Sequence, residues 1–489
     1  MPVSEPIVVA GAGPVGLSLA LGLARRGVRS VVLEKKPQLS THSKAVLVTP
    51  RTLEIFHEWR VLETFKSAGE WLEVLSPVDS RTGEEVLCVD FSALRPISSA
   101  AGICVLPQNE TERLLYEICV ASGLVEVRFG HAITTFDSDD SGVRVRVQGP
   151  EDQYVLESSL LCGCDGAHST VREGLGLHLE GKTYPAHAIL ADVRIEDERD
   201  ARPWPRIDLH AQGFAFAVRF ASGYWRIVLA QKGEAVDEIP SPEFVHARVH
   251  DLIGEGPSEI VWSSGFKIHC RNAPHFRIGR ILLLGDAAHL NSPAGGQGMN
   301  AGIQDAHNLA WKIERILKGG DAELFLKSYD AERFDAITRD VDVATDRLTR
   351  FGVTGPTWMR SAALFLLKRL IPRPGVTRRA TSSLGMLNLR YDESDLIDAS
   401  GGRYLPDVEL GDGLRLRQAL GTQGGLVEIT QDTRKLTVAD ATYDLSSDAS
   451  AEIAKAGGPF IAVRPDHVVA YSGGSRERAE SYLALLRVP

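Results

Sequence analysis

The sequence predicts an α/β protein, in which a parallel-sheet unit has an antiparallel sheet inserted into it. Three observations carry this. An unbroken apolar run, Ile7-Val8-Val9-Ala10, feeds directly into Gly11-Ala12-Gly13-Pro14-Val15-Gly16. Two more glycine-bearing segments, Cys164-Asp165-Gly166 and Gly285-Asp286-Ala287-Ala288-His289, each follow an apolar strand. Between them, stretches such as Phe214 to Phe220 and Tyr224 to Val228 alternate with the period of antiparallel strands.

Taken in order, Ile7 to Ala10 read as a buried parallel strand. Gly11 permits the tight turn, Gly13 keeps a side chain out of the way of a pyrophosphate, and Gly16 lets the next helix pack closely. Pro14 and Val15 lead into that helix, which reads Leu17 to Arg26 and stops at Gly27. Its N-terminus offers free N–H groups and a positive dipole end to phosphates. A second apolar strand, Ser30 to Leu33, ends at Glu34. An acidic residue there accepts hydrogen bonds from a ribose 2′-OH and repels a 2′-phosphate; the other reading is a solvated strand end. Strand, helix and acidic strand end fall in register, which places a dinucleotide on Gly11, Gly13, Pro14, Val15, Gly16 and Glu34. The fingerprint sits at the first strand and no second GxGxxG follows. The resident cofactor expected is non-covalent FAD, with NAD(P)H arriving from solvent as co-substrate.

The three segments, in this order, resemble those of the class A flavoprotein monooxygenases, the group typified by para-hydroxybenzoate hydroxylase, and within it the phenol and aromatic-polyketide hydroxylases. The run from Gly285 to Trp311 carries most of the likeness. The resemblance implies an α/β fold with a Rossmann-like FAD-binding domain, an inserted antiparallel-sheet substrate domain and a small thioredoxin-like C-terminal domain. It implies FAD-binding pieces at 1–75, 100–180 and 271–350, substrate-domain pieces at 76–99 and 181–270, linking helices at 351–390 and the thioredoxin-like domain at 391–489. It also implies the reaction. NAD(P)H reduces the flavin, O2 adds to give a C4a-hydroperoxyflavin, and its distal oxygen attacks a phenolic or polycyclic, polyketide-like aromatic ring.

Roles for single residues follow from the same likeness. Asp286, after Gly285, would hold ribityl hydroxyls. Pro293 to Gly298 would cross the flavin ring, with glycine at 295, 296 and 298 letting backbone lie flat on it. Met299 and Asn300 would open a long helix whose positive end meets the flavin N1–C2=O edge and favours the anionic reduced state. The Pro293 carbonyl would face the substrate; Ser292 stands where the family has proline. Lys44 stands where it has arginine, keeping the charge without the planar fork. Arg51 reads as flavin-adjacent or as a helix-surface charge. Gln108 and Arg113 would touch the ribityl and phosphate region, and Arg113 also reads as an exposed helix charge. Asp165 would lie near the pyrophosphate, or simply make an Asp–Gly turn. His289 reads as a base or as a buttress behind the flavin. In the middle sheet Trp204, Phe214 and Trp225 would line the substrate cavity. His210 and Tyr224 are candidates for the base that deprotonates a phenol.

Composition sets bounds. At 489 residues the chain has room for two or three domains. A formal net charge of −10 argues against nucleic acid and anionic membrane surfaces as partners. No apolar stretch approaches the ~20 residues that span a bilayer, and no signal peptide is expected. Cys162 and Cys164 have no second half-site, so no metal is expected, and buried thiols in a reducing cytoplasm are. Arg360 to Arg369 reads as an amphipathic basic helix packed on the flavin domain rather than touching a membrane. The C-terminal end has no CxxC, which leaves a structural or dimerisation role, in a monomer or homodimer. Two other functions fit the same motifs: an FAD-dependent oxidase or dehydrogenase that inserts no oxygen, and a non-catalytic flavin-fold protein that sequesters an intermediate.

Overall fold

The structure, a computed structural model, describes residues 5–41, 44–195, 204–210, 212–233, 239–254, 256–292, 295–392, 394–430 and 435–487. The first strand, Ile7–Ala10, is wholly buried and pairs in parallel with Ser30–Glu34 on one side and Leu161–Gly163 on the other. The helix between the first two strands is Pro14–Ala24. It starts ahead of Leu17 because Pro14 sits in its first turn, where a backbone N–H has no partner to lose. Ile281–Leu283 adds in parallel beyond Leu161–Gly163, and Val125–Phe129 adds beside Ser30–Glu34. The four strands from residues 7, 30, 161 and 281 therefore end along one edge, at Gly11, Glu34, Cys164 and Gly285. Ligands of open parallel sheets bind outside that edge.

The inserted sheet has antiparallel core strands Glu180–Arg194, Gly213–Arg219, Trp225–Lys232 and Glu259–Asn272. Its register creates two faces. On one, Ile189, Ala191, Ala217, Trp225 and Ile227 pack with the helix Pro242–Ile253. On the other, residues line up in rows across the strands. Phe214, Ala230, Ala188 and Phe266 form one row, Phe216, Val228, Leu190 and Ser264 the next, and Val218, Arg226, Asp192 and Trp262 the third. This second face meets the parallel-sheet part, because Arg226 donates to the Lys44 carbonyl at 3.3 Å.

The end of the chain forms a five-stranded sheet in the order Ala441–Asp444, Lys435–Val438, Gly425–Ile429, Phe460–Val463, Val469–Gly473, backed by the helix Arg476–Leu486. A hairpin, rather than a crossover helix, joins Gly425–Ile429 to Lys435–Val438, so this pair is antiparallel. The thioredoxin-like arrangement is kept from the helix Ser447–Ala454 onward. Buried charges join this unit to the rest. Glu332 accepts from Arg464 at 2.7 and 2.9 Å and from Lys312 at 2.9 Å, all without solvent exposure. Arg51 belongs to a second such seam. It is fully buried, donates to Glu54 at 2.9 Å, and lies 3.6 Å from the Tyr404 ring centre, while Glu54 also holds Arg417. Its guanidinium is thus committed to a domain contact, which corrects both the flavin-adjacent and the surface reading. The helix Thr357–Leu370 also departs from expectation, since its apolar side is not packed down: Trp358 is 72% and Phe365 59% exposed.

Candidate cofactor and substrate site

At the first turn Gly11 has φ +98°, and a Cβ there would come within 2.5 Å of the Cys164 carbonyl oxygen. A Cβ on Gly16 would lie 2.0 Å from the Gly11 carbonyl oxygen. Gly13 differs, with nothing inside 4 Å of its Cβ position. Gly11 and Gly16 are therefore demanded by the protein's own packing, whereas Gly13 borders open space at the N-terminus of Pro14–Ala24. Glu34 is not a solvated strand end. One carboxylate oxygen accepts from the Ala12 N–H and the other from the Lys36 N–H, each at 2.9 Å, so the side chain braces the turn. Pro14 and Val15 are half-buried at the helix start, and Val15 is the floor under Gly285: a Cβ on Gly285 would meet it at 2.8 Å.

Behind Gly285 lies a fully buried charge cluster. The Gly285 N–H donates to Asp305 at 2.9 Å, and Asp305 also accepts from Arg333 at 2.6 Å and His289 Nε2 at 2.8 Å. His289 Nδ1 faces Asn291 Oδ1 at 3.0 Å, and the Asn291 amide nitrogen donates to Asp342 at 2.6 Å. Both ring nitrogens thus face acceptors. Burial alone would lower the imidazole pKa; the Asp305 carboxylate outweighs this and raises it. His289 is a buttress. Asp286 is its opposite, with an exposed side chain and no hydrogen bond among the described residues. The protein around it pushes its carboxyl up, offset by the charges of His289 and Lys44.

Lys44 joins three parts of the fold. Its N–H and that of Ala45 donate to Gln108 Oε1 at 3.3 and 3.1 Å, its carbonyl takes Arg226, and its ammonium lies 5.7 Å from the Phe266 ring centre. Gln108 donates in turn to Glu112 at 2.8 Å, whose carboxyl burial pushes up to about 7. Gly295 and Gly296 have φ of +89° and +64°, and Gly298, with nothing inside 4 Å of its Cβ position, opens the long helix Gly298–Leu317. Met299 is half-buried against the main core. Pro293 lies outside the described residues.

Several expected contacts are taken up by protein. Asn300 is fully buried. Its oxygen accepts from the Thr49 N–H at 3.0 Å and the Thr52 hydroxyl at 2.7 Å, and its nitrogen donates to the Leu47 and Gly296 carbonyls at 2.9 Å. Asp165 accepts from Ser169 and the Val171 N–H, capping the helix Thr170–Gly174. Arg113 pairs with Glu110 and Glu117 on an exposed helix face. Trp225 and His210 fall on the face that Pro242–Ile253 covers, because His210 pairs with Gly213 in the register of Ala215. Neither can line a cavity on the Lys44 side. Tyr224 does lie at the end of that side, but its hydroxyl meets Arg194. Trp204 closes the end of the sheet between the two faces, and Phe214 keeps its place in the first row. Sequence reasoning missed Asp305, Arg333, Arg226 and Arg172. Arg172 staples the second segment to the third through the Ala167 and Ala287 carbonyls at 3.0 and 3.2 Å. Nothing in their immediate sequence surroundings set Arg333 or Arg172 apart, with charged or polar neighbours on both sides.

These residues fit FAD. The helices Pro14–Ala24 and Gly298–Leu317 both begin without a side-chain cap and without an acidic residue in the first turn. Their free N–H groups suit a diphosphate beside Gly13 and an anionic ring edge beside Gly298. Asp286 offers an unused acceptor between them. Comparison with known proteins agrees. Residues 4–344 match the FAD binding domain family. The chain is 33% identical over 428 residues to the 12-dehydrotetracycline 5-monooxygenase/anhydrotetracycline 6-monooxygenase of Streptomyces rimosus, covering 83% of this chain and 80% of that protein. It is 30% identical over 480 residues to the rifampicin monooxygenase of Streptomyces venezuelae, covering 96% of each. The solved structure of anhydrotetracycline hydroxylase from Streptomyces rimosus matches with a TM-score of 0.75 at 29% identity, over 99% of both chains. The chain belongs to the FAD binding domain family and, within it, to the class A flavoprotein monooxygenases, the aromatic hydroxylases.

Proposed function

We propose that the protein hydroxylates a phenolic, polycyclic, polyketide-like aromatic compound, taking electrons from NAD(P)H and one oxygen atom from O2. The observation that supports this is the sheet face on the Lys44 side. Two of its three rows hold Phe214, Phe266, Phe216, Val228 and Leu190, an apolar wall suited to flat rings. The third row holds the pair Arg226–Asp192, whose side chains are 0% and 16% exposed. Asp192 is the acceptor that a substrate hydroxyl would meet at this wall, and Arg226 fixes its orientation. When bound, FAD supplies the electron transfer and the activation of O2. The chain's own part is to hold the ring within reach and keep water out. All six cysteines are unpaired, which supports a reducing, cytoplasmic setting. No helix among the described residues is long and apolar enough to cross a membrane.

The test is flavin bleaching by NADPH and by NADH, with and without a panel of polycyclic phenols, followed by mass spectrometry of the products under isotope-labelled O2. Substrate is expected to accelerate reduction, because a ligand that favours the nicotinamide-accessible arrangement raises its population. The product is expected to gain one labelled oxygen per nucleotide consumed. Peroxide without oxygenated product from any phenol makes the protein an oxidase. FAD that neither nucleotide bleaches makes it non-catalytic.

A further inference from the structure

From Arg347 to Tyr391 the chain has nine arginines and lysines and no aspartate or glutamate, although its net charge is −10. The helix Thr357–Leu370 lies inside this stretch. It is held by a narrow seam. Arg360 is 2% exposed and donates to the Gly213 and Gly352 carbonyls at 2.8 and 3.2 Å; Leu364 is half-buried one turn further on and Ile371 is buried at the C-terminal end. The opposite side faces out. Trp358, Phe365, Leu366 and Leu370, spaced as one helical stripe, are 72%, 59%, 55% and 41% exposed. Lys368, Arg369, Arg373 and Arg379 are exposed around the C-terminal end of this stripe, and none has a carboxylate partner among the described residues.

We propose that this helix is an in-plane docking site for an anionic lipid surface. Trp358, Phe365 and Leu366 enter the boundary between headgroups and acyl chains, and the four cations meet lipid phosphates. The overall negative charge does not oppose this. At physiological salt a surface feels mainly the charges within about 8 Å, and Lys368, Arg369, Arg373 and Arg379 outnumber the neighbouring Asp90 and Glu452, the latter paired with Arg378. A second copy of the chain is the weaker occupant. A helix of 14 residues is roughly 21 Å long, and one face of it falls short of the ~800 Å² per partner of a stable interface.

The test floats the holoenzyme with vesicles of phosphatidylcholine alone and with added phosphatidylglycerol. Binding is expected only to the anionic vesicles and is expected to weaken in high salt. Phe365→Ser with Leu366→Ser, and separately Lys368→Glu with Arg369→Glu, should each lower the partition coefficient about tenfold or more. Both double variants should keep the FAD content and unfolding temperature of the parent, since the residues changed are exposed. Absence of flotation with anionic vesicles, or equal flotation by both variants, overturns the proposal. So does a parent dimer, seen by analytical ultracentrifugation, that the Phe365 and Leu366 changes convert to monomer.

Discussion

Gly13 and Gly16 are three residues apart and answer to different constraints. Gly13 has φ −75° and an unobstructed Cβ position, so valine fits its backbone and projects into the groove. Gly13→Val is therefore expected to fold, with the apo unfolding temperature unchanged, and to bind no FAD. Gly16→Val is expected not to fold, because its Cβ would lie 2.0 Å from a carbonyl oxygen. Full FAD content in purified Gly13→Val would remove the groove as the cofactor site. Asp286→Ala should also leave folding intact, since the carboxylate has no hydrogen-bond partner among the described residues, and should raise the FAD Kd by roughly ten- to a hundredfold through lost charge-assisted hydrogen bonds. An unchanged Kd reduces Asp286 to a turn residue. Glu112 gives a pH signature. Burial raises its folded pKa from 4.5 to about 7, so no penalty exists below about pH 4.5, where both folded and unfolded forms are protonated. The penalty grows as pH rises toward 7 and stays above it. Glu112→Gln should thus stabilise the protein at alkaline pH, by about 1–3 kcal/mol, and leave it unchanged in acid. Equal effects at both ends of a thermal-unfolding series would show that the carboxyl is not held neutral.

Among the elements, the strands and helices around the cofactor were legible, because their bounds are set by local chemistry. Ile281–Leu283 is apolar and ends at a glycine, and Pro50–Glu58 opens on a proline. The destinations of polar side chains were not. Nothing near Asn300 in sequence says that Thr49, Thr52 and Leu47 will arrive to fill its hydrogen-bonding capacity. The same holds for Arg51, whose partners Tyr404 and Arg417 lie far along the chain. In the inserted sheet the strands were legible but the choice of face was not. Both faces are apolar, one under a helix and one beside Lys44, so alternation identifies Trp225 and Val228 equally, and a shift of one residue exchanges them. The element most exposed to test is the start of Gly298–Leu317. Asn300→Ala should cost about 2–4 kcal/mol in denaturant unfolding of the apo protein, since it strands buried groups on three segments. Unchanged apo stability with collapsed FAD affinity would return Asn300 to the list of cofactor ligands.

Over the whole molecule, the C-terminal sheet and the cofactor part are expected to unfold as one cooperative unit, because the charges between them are buried on both sides. Burial would raise the Glu332 pKa; Arg464 and Lys312 outweigh it and bring it to about 2. Its contribution is therefore present above the unfolded carboxyl pKa of about 4.5 and is lost as pH falls toward 2. Glu332→Ala leaves the buried Lys312 without its carboxylate and Arg464 with Asp466 alone, and should cost about 3–5 kcal/mol. Calorimetry should show one transition moved downward. A separate early transition for the C-terminal unit would show that it folds on its own. The long-range pairs that argue against such independence are invisible along the chain.

The parallel sheet sets Leu161–Gly163 between Ile7–Ala10 and Ile281–Leu283. A ribosome adding roughly 5–20 residues per second needs about 6–24 s to get from Leu161–Gly163 to Ile281–Leu283. Throughout that interval Leu161–Gly163 offers a bare edge, and the Gly285–Asp286 turn does not yet exist. FAD therefore cannot nucleate or guard the emerging chain, and loading it is a late event of biosynthesis. Whatever shields the half-made sheet during translation must be something other than the ligand the finished sheet holds.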